Sequence, residues 1–242
     1  MKPIFNNQLF YWVHTLVIYS WVLMATTVLG SMVVIISIFI KKGNLSHIVA
    51  RIWGRSILWV SGIKVTIKGF EKLNSTQSYI YMANHQSNFD IPVLLGKLPV
   101  QFRWLAKAEL FQIPIFGRAM RGCEYISIDR SNRKMAFKSL AIAAQIIRNG
   151  ASVMIFPEGT RSTDGNIKNF KKGGFILSVD AGVPIVPIII RGTWSIMPKT
   201  RLRIEPAPVM IKICDPIETR SFTRKTKDDL ITKVRNIMIA QL

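Results

Sequence analysis

The sequence predicts an α/β protein whose mixed, mostly parallel sheet is flanked by helices and preceded by an N-terminal helical membrane anchor. Two observations carry this prediction. After residue 62, short runs of β-branched and aromatic residues alternate with helical patterns, as in domains where helices connect successive strands. Before that point the chain is strongly apolar, and residues 1–70 contain no acid. We therefore divide the chain into an N-terminal membrane-associated helical segment, residues 1–60, and one α/β domain, residues 61–242.

The charge of the chain indicates the class of its partner. Its 33 Lys and Arg residues against 13 Asp and Glu residues give a formal net charge of +20. Such an excess calls for a polyanion, either a nucleic acid or an anionic membrane face. The bases in residues 1–70 flank or interrupt apolar stretches, and the motifs of common DNA- and RNA-binding folds are missing from the sequence. We therefore expect membrane lipids as partners and no nucleic acid.

The anchor prediction rests on the stretch from Leu9 to Ile40, in which His14 is the only histidine and no Asp, Glu, Lys or Arg occurs. A signal peptide would have a shorter apolar region that ends at a cleavage site. A straight helix of this length would measure about 48 Å, against roughly 30 Å of hydrocarbon, so it must tilt, break or lie partly in the interface. Gly30-Ser31 is the expected break, and a single tilted span is the alternative. Lys41-Lys42 places the following domain, with its active site, on the cytoplasmic side.

Residues 46–60 carry apolar side chains at helical spacing, with Arg51 and Arg55 four positions apart. This pattern predicts an amphipathic helix at the membrane interface. It fits an ordinary helix packed on the domain equally well, because amphipathicity does not distinguish the two.

The domain elements follow in order. The strand candidates are Val65–Gly69, Tyr79–Ala83, Phe102–Ala106, Tyr125–Ile128, Val153–Phe156, Ile185–Ile190 and Val209–Ile213. Arg133–Asn149 and Thr226–Ala240 are the clearest helices. Ligands of such sheets bind where loops leave the carboxyl ends of strands, and two polar loops follow predicted strands in this way.

The first polar loop contains His85 and Asp90, directly after the second strand candidate. Five positions correspond to about 140° around an ideal helix, so only a turn would bring the two side chains together. A carboxylate that holds Nδ1–H of an imidazole leaves Nε2 free as a base. The alternative is a loop histidine followed by a carboxylate that caps the next helix.

The second polar loop spans residues 157–162, after the fifth strand candidate. Pro157 ends the strand, Gly159 permits a tight turn, and Thr160 and Arg161 can bind an oxyanion. Taken alone, the hexapeptide is better explained by a plain surface turn with an exposed arginine.

Together these loops resemble the two defining blocks of the 1-acyl-sn-glycerol-3-phosphate acyltransferase family. The first is Asn84–Asp90 and the other is Phe156–Ser162. Between them, residues 107–117 and Ile126–Arg130 resemble the second block of the family, and Val183–Ile188 resembles its fourth. The likeness covers roughly residues 60 to 215. Tyr125 and Ser127 depart from the family pattern, which puts chain or acceptor preference in doubt.

The resemblance implies an acyltransferase without an acyl-enzyme intermediate. His85 would act as the general base on the sn-2 hydroxyl of lysophosphatidic acid, and Asp90 would orient it. The donor would be acyl-CoA or an acyl carrier protein, with no cofactor and no metal. The residues assigned to binding the acceptor phosphate, or to shaping the loop that binds it, are Lys107, Arg130, Glu158, Gly159, Thr160 and Arg161.

Three alternatives are compatible with the residues. The acceptor could be another lysolipid, or His85 could activate water in a lipid or thioester hydrolase. A basic module that only binds the membrane surface is the non-enzymatic alternative. The two cysteines, Cys123 and Cys214, lie far apart in the sequence and predict buried thiols rather than a zinc or redox centre.

Overall fold

The computed structural model describes residues 4–129 and 133–242. Its centre is a seven-stranded sheet in the order β1-β7-β6-β2-β5-β3-β4. The strands are β1 Val65–Lys68, β2 Ile80–Ala83, β3 Arg103–Lys107, β4 Ile126–Ile128, β5 Val153–Ile155, β6 Ile185–Arg191 and β7 Val209–Ile213. The pair β6–β7 is antiparallel and the other neighbouring pairs are parallel. The prediction of a mixed, mostly parallel sheet is therefore confirmed, and the strand ends differ from those predicted by no more than one residue.

Helices cover both faces of the sheet. They are α1 Ile4–Phe39, α2 Asn44–Val60, α3 Asp90–Lys97, α4 Phe116–Gly122, α5 Arg133–Arg148, α6 Gly173–Ala181, α7 Thr193–Ile196 and α8 Lys227–Ala240. Short 3₁₀ turns occur at Phe70–Lys72 and Ala108–Gln112. One apolar layer joins α2 and α3 to the sheet, and a second joins α5, α6 and α8 to its other face. All four residues of β2 are buried, which explains why this strand is a continuous apolar run rather than an alternating one.

The first helix runs unbroken through Gly30-Ser31, so the break predicted there does not form. Gly30 instead permits a close approach to α4, because a Cβ atom at this position would lie 3.0 Å from Cγ2 of Ile115. The absence of a side chain at Gly30 thus permits close packing against α4 while the helix continues. By length and composition α1 could cross a membrane.

The domain contacts α1 along most of its length. Near the beginning of the helix, the N–H of Ile204 donates to Oγ1 of Thr15 at 2.9 Å. Near its end, Ser37 lies against α4, where a Cβ on Gly122 would be 3.0 Å from Cβ of Ser37. Positions 15 and 37 are 22 residues apart, about 33 Å along a helix axis. The first helix therefore lies along the domain instead of projecting from it.

The second helix packs on the domain and still exposes an apolar side. Its backbone approaches α3 where two glycines meet, since a Cβ on Gly54 would lie 2.9 Å from the amide nitrogen of Gly96. On the outer side Ile48, Ile52 and Trp59 are exposed. Of the two alternatives that the sequence left open, the helix packed on the domain is therefore observed. A position at the membrane interface stays a prediction, with which the exposed apolar side is compatible.

Candidate active site

The first polar loop brings His85 and Asp90 together. The loop leaves the carboxyl end of β2, and α3 begins at Asp90. Nδ1 of His85 lies 2.7 Å from Oδ2 of Asp90, whose side chain is completely buried. The same oxygen accepts the main-chain N–H groups of Gln86 at 2.7 Å and of Ser87 at 2.9 Å. Asp90 thus binds the loop that precedes it, so it does more than cap its own helix.

These bonds determine which nitrogen of His85 carries a proton. Because Oδ2 of Asp90 is the acceptor of two main-chain N–H groups, we assign Nδ1 of His85 as the donor in their shared hydrogen bond. The other ring nitrogen, Nε2, is then unprotonated in the neutral ring and can accept a proton. The His85 side chain is 15% exposed, so a substrate can reach it. The pair has the geometry of a general base held by an orienting acid.

Asn84 redirects the chain just before His85. Its side-chain nitrogen donates to the carbonyl oxygen of Ile190 at 2.9 Å, and its side-chain oxygen accepts the N–H of Ile190 at 2.7 Å. The amide group thereby replaces the main-chain pairing between β2 and β6 at the point where β2 ends. Because the side chain satisfies this position, the backbone can leave the sheet and turn His85 towards the site.

The second polar loop clamps the backbone of His85 from both sides. The N–H of His85 donates to Oε1 of Glu158 at 2.8 Å, and its carbonyl oxygen accepts the N–H of Ser162 at 2.7 Å. The other Glu158 oxygen accepts the N–H of Lys168 at 2.9 Å. Glu158 is only 2% exposed, and burial raises the pKa of its carboxyl group. Its carboxylate therefore braces the loop from inside and points away from solvent.

Phe156, the residue before the second loop, stacks on the imidazole of His85. The ring centroids are 3.9 Å apart and the planes differ by 8°. Trp104 supports Phe156 from β3, with centroids 5.2 Å apart. A ring stacked face to face on the imidazole limits its rotation. Phe156 and Asn84 lie within the two blocks that resemble the family, but the sequence pattern indicated no role for either residue.

The predicted phosphate-binding residues occupy different positions. Arg161 and Thr160 lie at the rim of a pocket next to His85, and no ion pair among the described residues uses Arg161. Gly159 has a φ of 76°, a left-handed conformation that favours glycine. Lys107 lies at the same rim, but its Nζ pairs with Glu109 at 2.6 Å. Arg130 falls outside the described residues.

The pocket has a volume of about 390 Å³ and is mostly apolar. His85 and Phe156 line it together with residues of the first two helices. The residues that line it from α1 and α2 are Thr26, Leu29, Gly30, Val33, Val49, Ala50 and Trp53. The sequence did not predict that these helices line a pocket, because no local pattern shows which of their residues enclose a cavity.

Two features bear on metal and redox chemistry. Among residues 4–129 and 133–242, no group of three His, Cys, Asp or Glu side chains is arranged to hold a metal ion. Cys123 and Cys214 are both buried free thiols, as predicted. Burial raises the pKa of Cys123 to about 12, and it also raises the pKa of Cys214.

Comparisons with known proteins point to one family. A family model described as Acyltransferase matches residues 64–191. A 1-acyl-sn-glycerol-3-phosphate acyltransferase of Cocos nucifera is 31% identical over 226 residues, which cover 91% of this chain and 72% of that protein. The human 1-acyl-sn-glycerol-3-phosphate acyltransferase alpha is 31% identical over 184 residues, covering 76% of this chain and 65% of that protein. The crystal structure of the 1-acyl-sn-glycerophosphate acyltransferase PlsC from Thermotoga maritima matches with a TM-score of 0.82 and 27% identity, covering 97% of this chain and 95% of that chain.

Proposed function

Because this chain belongs to the 1-acyl-sn-glycerol-3-phosphate acyltransferase family, we propose that it transfers a fatty acyl chain to the sn-2 hydroxyl of lysophosphatidic acid, giving phosphatidic acid. The donor is a thioester, either acyl-CoA or acyl carrier protein. The observation that carries the proposal is the position of the His85–Asp90 pair. It lies where an apolar pocket meets the arginine of the second polar loop. A fatty acyl chain and a phosphate need these two environments side by side.

The chemistry follows from the proton positions on His85. Nε2 takes the proton of the acceptor hydroxyl while the oxygen of that hydroxyl attacks the carbonyl carbon of the thioester. The resulting imidazolium is stabilised by the buried carboxylate of Asp90 and by the ring of Phe156. When the tetrahedral intermediate collapses, the carbon–sulfur bond breaks and the thiolate takes the proton from His85. The acyl group moves directly from donor to acceptor, so no enzyme nucleophile is required.

The acceptor phosphate is held at the rim of the pocket. Arg161 is the principal ligand, because its planar guanidinium matches two phosphate oxygens and has no carboxylate partner within the described part of the chain. Lys107 contributes when its ammonium group leaves the ion pair with Glu109 and binds the phosphate. Arg130 is assigned to the same phosphate. Gly159 and Thr160 shape the loop. Glu158 does not contact the phosphate; it accepts the main-chain N–H of His85 and so fixes the position of that residue.

The apolar pocket takes a fatty chain. Its volume of about 390 Å³ lies within the range of small-molecule sites, and its walls offer few groups that a hydrocarbon would leave unpaired. Two of those walls come from the anchor helices, so the chain enters from the part of the molecule that contacts lipid.

The membrane position of α1 follows from its contacts with the domain. An upright span would draw the attached domain, with its charged residues, into the hydrocarbon, which is unfavourable. We therefore place α1 within one leaflet, along the membrane plane, with its exposed apolar side towards lipid. Lys41 and Lys42 then lie at the cytoplasmic headgroups, and the active site faces the cytoplasm.

The test is an in vitro transfer assay with the full chain in detergent. Acyl-CoA and acyl carrier protein donors are each combined with lysophosphatidic acid and with lysolipids that carry other headgroups. We expect labelled phosphatidic acid to form only when thioester and lysophosphatidic acid are both present. If transfer to another lysolipid were faster, that lysolipid and not lysophosphatidic acid would be the acceptor. Release of free fatty acid at an equal rate without any acceptor would indicate a hydrolase instead.

A further inference from the structure

The segment of residues 198–205, between α7 and β7, forms a loop with an apolar tip. The N–H of Arg201 donates to the carbonyl oxygen of Pro198 at 3.1 Å, which closes a turn just before Leu202. The Leu202 side chain is 70% exposed, and Lys199 beside it is also exposed. An isolated exposed leucine needs no explanation, so the surroundings of the tip decide its meaning.

One side of the 198–205 loop is bonded to α1. The hydroxyl of Tyr19 donates to the carbonyl oxygen of Leu202 at 2.9 Å, and Oγ1 of Thr15 accepts the N–H of Ile204 at 2.9 Å. On α1, Leu16 and Leu23 are 67% and 71% exposed. Leu202 therefore extends the exposed apolar side of the anchor helix and does not stand alone.

The other side of the loop is bonded to the catalytic loop. Oγ of Ser87 donates to the carbonyl oxygen of Met197 at 2.8 Å, and Ser87 forms a single β-bridge with Pro198. Ser87 also donates its N–H to Asp90. The 198–205 loop thus connects the outer side of α1 with the loop that carries the base.

The charge of the loop favours an anionic surface. Lys199, Arg201 and Arg203 stand against one acid, Glu205, so the loop has a net charge of +2 from three bases minus one acid. Glu205 contacts both arginines, and the remaining positive charge flanks the apolar tip. Cations at headgroup height around an apolar side chain are the arrangement that binds an anionic bilayer.

We propose that the 198–205 loop is a second membrane contact, in which Leu202 enters the boundary between headgroups and acyl chains while its basic neighbours bind anionic headgroups. The occupant is a lipid surface rather than a protein groove, because Leu202 is 70% exposed and its loop is bonded to α1, beside the exposed apolar side of that helix. This inference rests on the proposed membrane position of α1. The contact fixes the catalytic loop next to the surface from which an anionic lysolipid arrives.

A fluorophore attached at position 202 tests the contact directly. Cys123 and Cys214 are 2% and 6% exposed, so a Leu202→Cys variant of the full chain can be labelled selectively with an environment-sensitive dye. Gln145→Cys, on α5 at the other face of the sheet, is the matched control. The labelled proteins are mixed with vesicles of phosphatidylcholine, alone or with phosphatidylglycerol, that carry nitroxide lipids.

The proposal predicts a blue shift and nitroxide quenching at position 202, both stronger with phosphatidylglycerol, and neither at position 145. A dye at 202 that stays in water on vesicle-bound protein overturns it, as does quenching of equal strength at both positions. This readout does not require turnover, so a lipid-immersed tip on a protein without acyltransferase activity would refute the proposed function and leave the loop proposal standing.

A second variant links the contact to substrate supply. Leu202→Asp should lower transfer to lysophosphatidic acid embedded in anionic vesicles by about tenfold or more, from the burial lost by one leucine. Transfer to short-chain, monodisperse substrate should be unchanged. Ile142→Asp, at an exposed position on α5, should change neither rate. Equal losses on both substrates for Leu202→Asp would mean that the loop acts on the active site itself and would overturn the membrane role.

Discussion

Glu158 and His85 are 73 residues apart in sequence, yet Oε1 of Glu158 accepts the main-chain N–H of His85 at 2.8 Å. The carboxylate is buried, and its second oxygen accepts the N–H of Lys168. A buried charge that binds only fixed main-chain donors is suited to holding a loop. The second polar loop therefore supports the base of the first, in addition to contributing the arginine at the rim.

Glu158→Gln should lower kcat by about tenfold to a hundredfold with little change in the acceptor KM. The amide group of glutamine cannot accept both N–H bonds, so the backbone of His85 shifts, and small displacements of a base have effects of this size. Steady-state kinetics measure the split. Asp228→Asn, an exposed carboxylate on α8, is the control. A large rise in acceptor KM at constant kcat would place Glu158 on the substrate instead.

Phe156→Leu should lower kcat by roughly threefold to tenfold, because the stacked ring stabilises the imidazolium and limits its rotation. Phe156→Tyr keeps an aromatic face against the ring and should restore most of the rate. Single-turnover measurements on all three proteins compare the chemical step. If leucine and tyrosine variants were equally impaired, packing rather than the stack would explain the loss.

Arg161→Lys should raise the acceptor KM by about tenfold or more and leave the donor KM nearly unchanged. A point charge replaces a bidentate fork at the phosphate, and the thioester makes no use of that fork. Arg148→Lys on α5 is a matched exchange away from the pocket. Equal rises in both KM values would remove Arg161 from the phosphate site.

Val33→Phe should shift donor preference towards shorter acyl chains. Val33 is 3% exposed and lines the pocket together with Val49 and Cys123, so a larger ring there fills part of the space for the chain. Competition between donors of different length gives the preference. Val28→Phe, at a position on α1 that is 61% exposed, should not change it. An unchanged preference in a folded Val33→Phe protein would contradict the assignment of the pocket to a fatty chain.

Local sequence patterns were sufficient for the sheet and for the two polar loops. Strands such as β2 and β6 could be predicted because both faces of a central strand are buried, which leaves a continuous apolar run. The spacing of His85 and Asp90 left their proximity open, since a regular helix would separate the two side chains and a turn could bring them together. The helix break predicted at Gly30-Ser31 was wrong, because the sequence does not distinguish a glycine that ends a helix from one that permits close packing against a neighbouring element.

What escaped prediction depends on contacts between distant segments. The main-chain N–H of His85 donates to Glu158, and Phe156 stacks on the imidazole of His85. Both contacts join the segments that follow two different strands, β2 and β5. The pocket walls from α1 and α2 arise only when the anchor folds back along the domain. No hydrophobic periodicity or motif within either helix predicts how it packs on the domain. The family resemblance identified the residues but not the bonds that connect them.

The central claim, that His85 is the base, is tested most directly by acyl transfer to lysophosphatidic acid in His85→Ala and Asp90→Asn proteins. We expect His85→Ala to lower kcat by roughly 10²-fold to 10⁴-fold while folding and vesicle binding persist. Asp90→Asn should also be impaired, because an amide cannot stabilise the imidazolium. A folded, membrane-bound His85→Ala protein that transfers acyl chains at the wild-type rate would contradict the account.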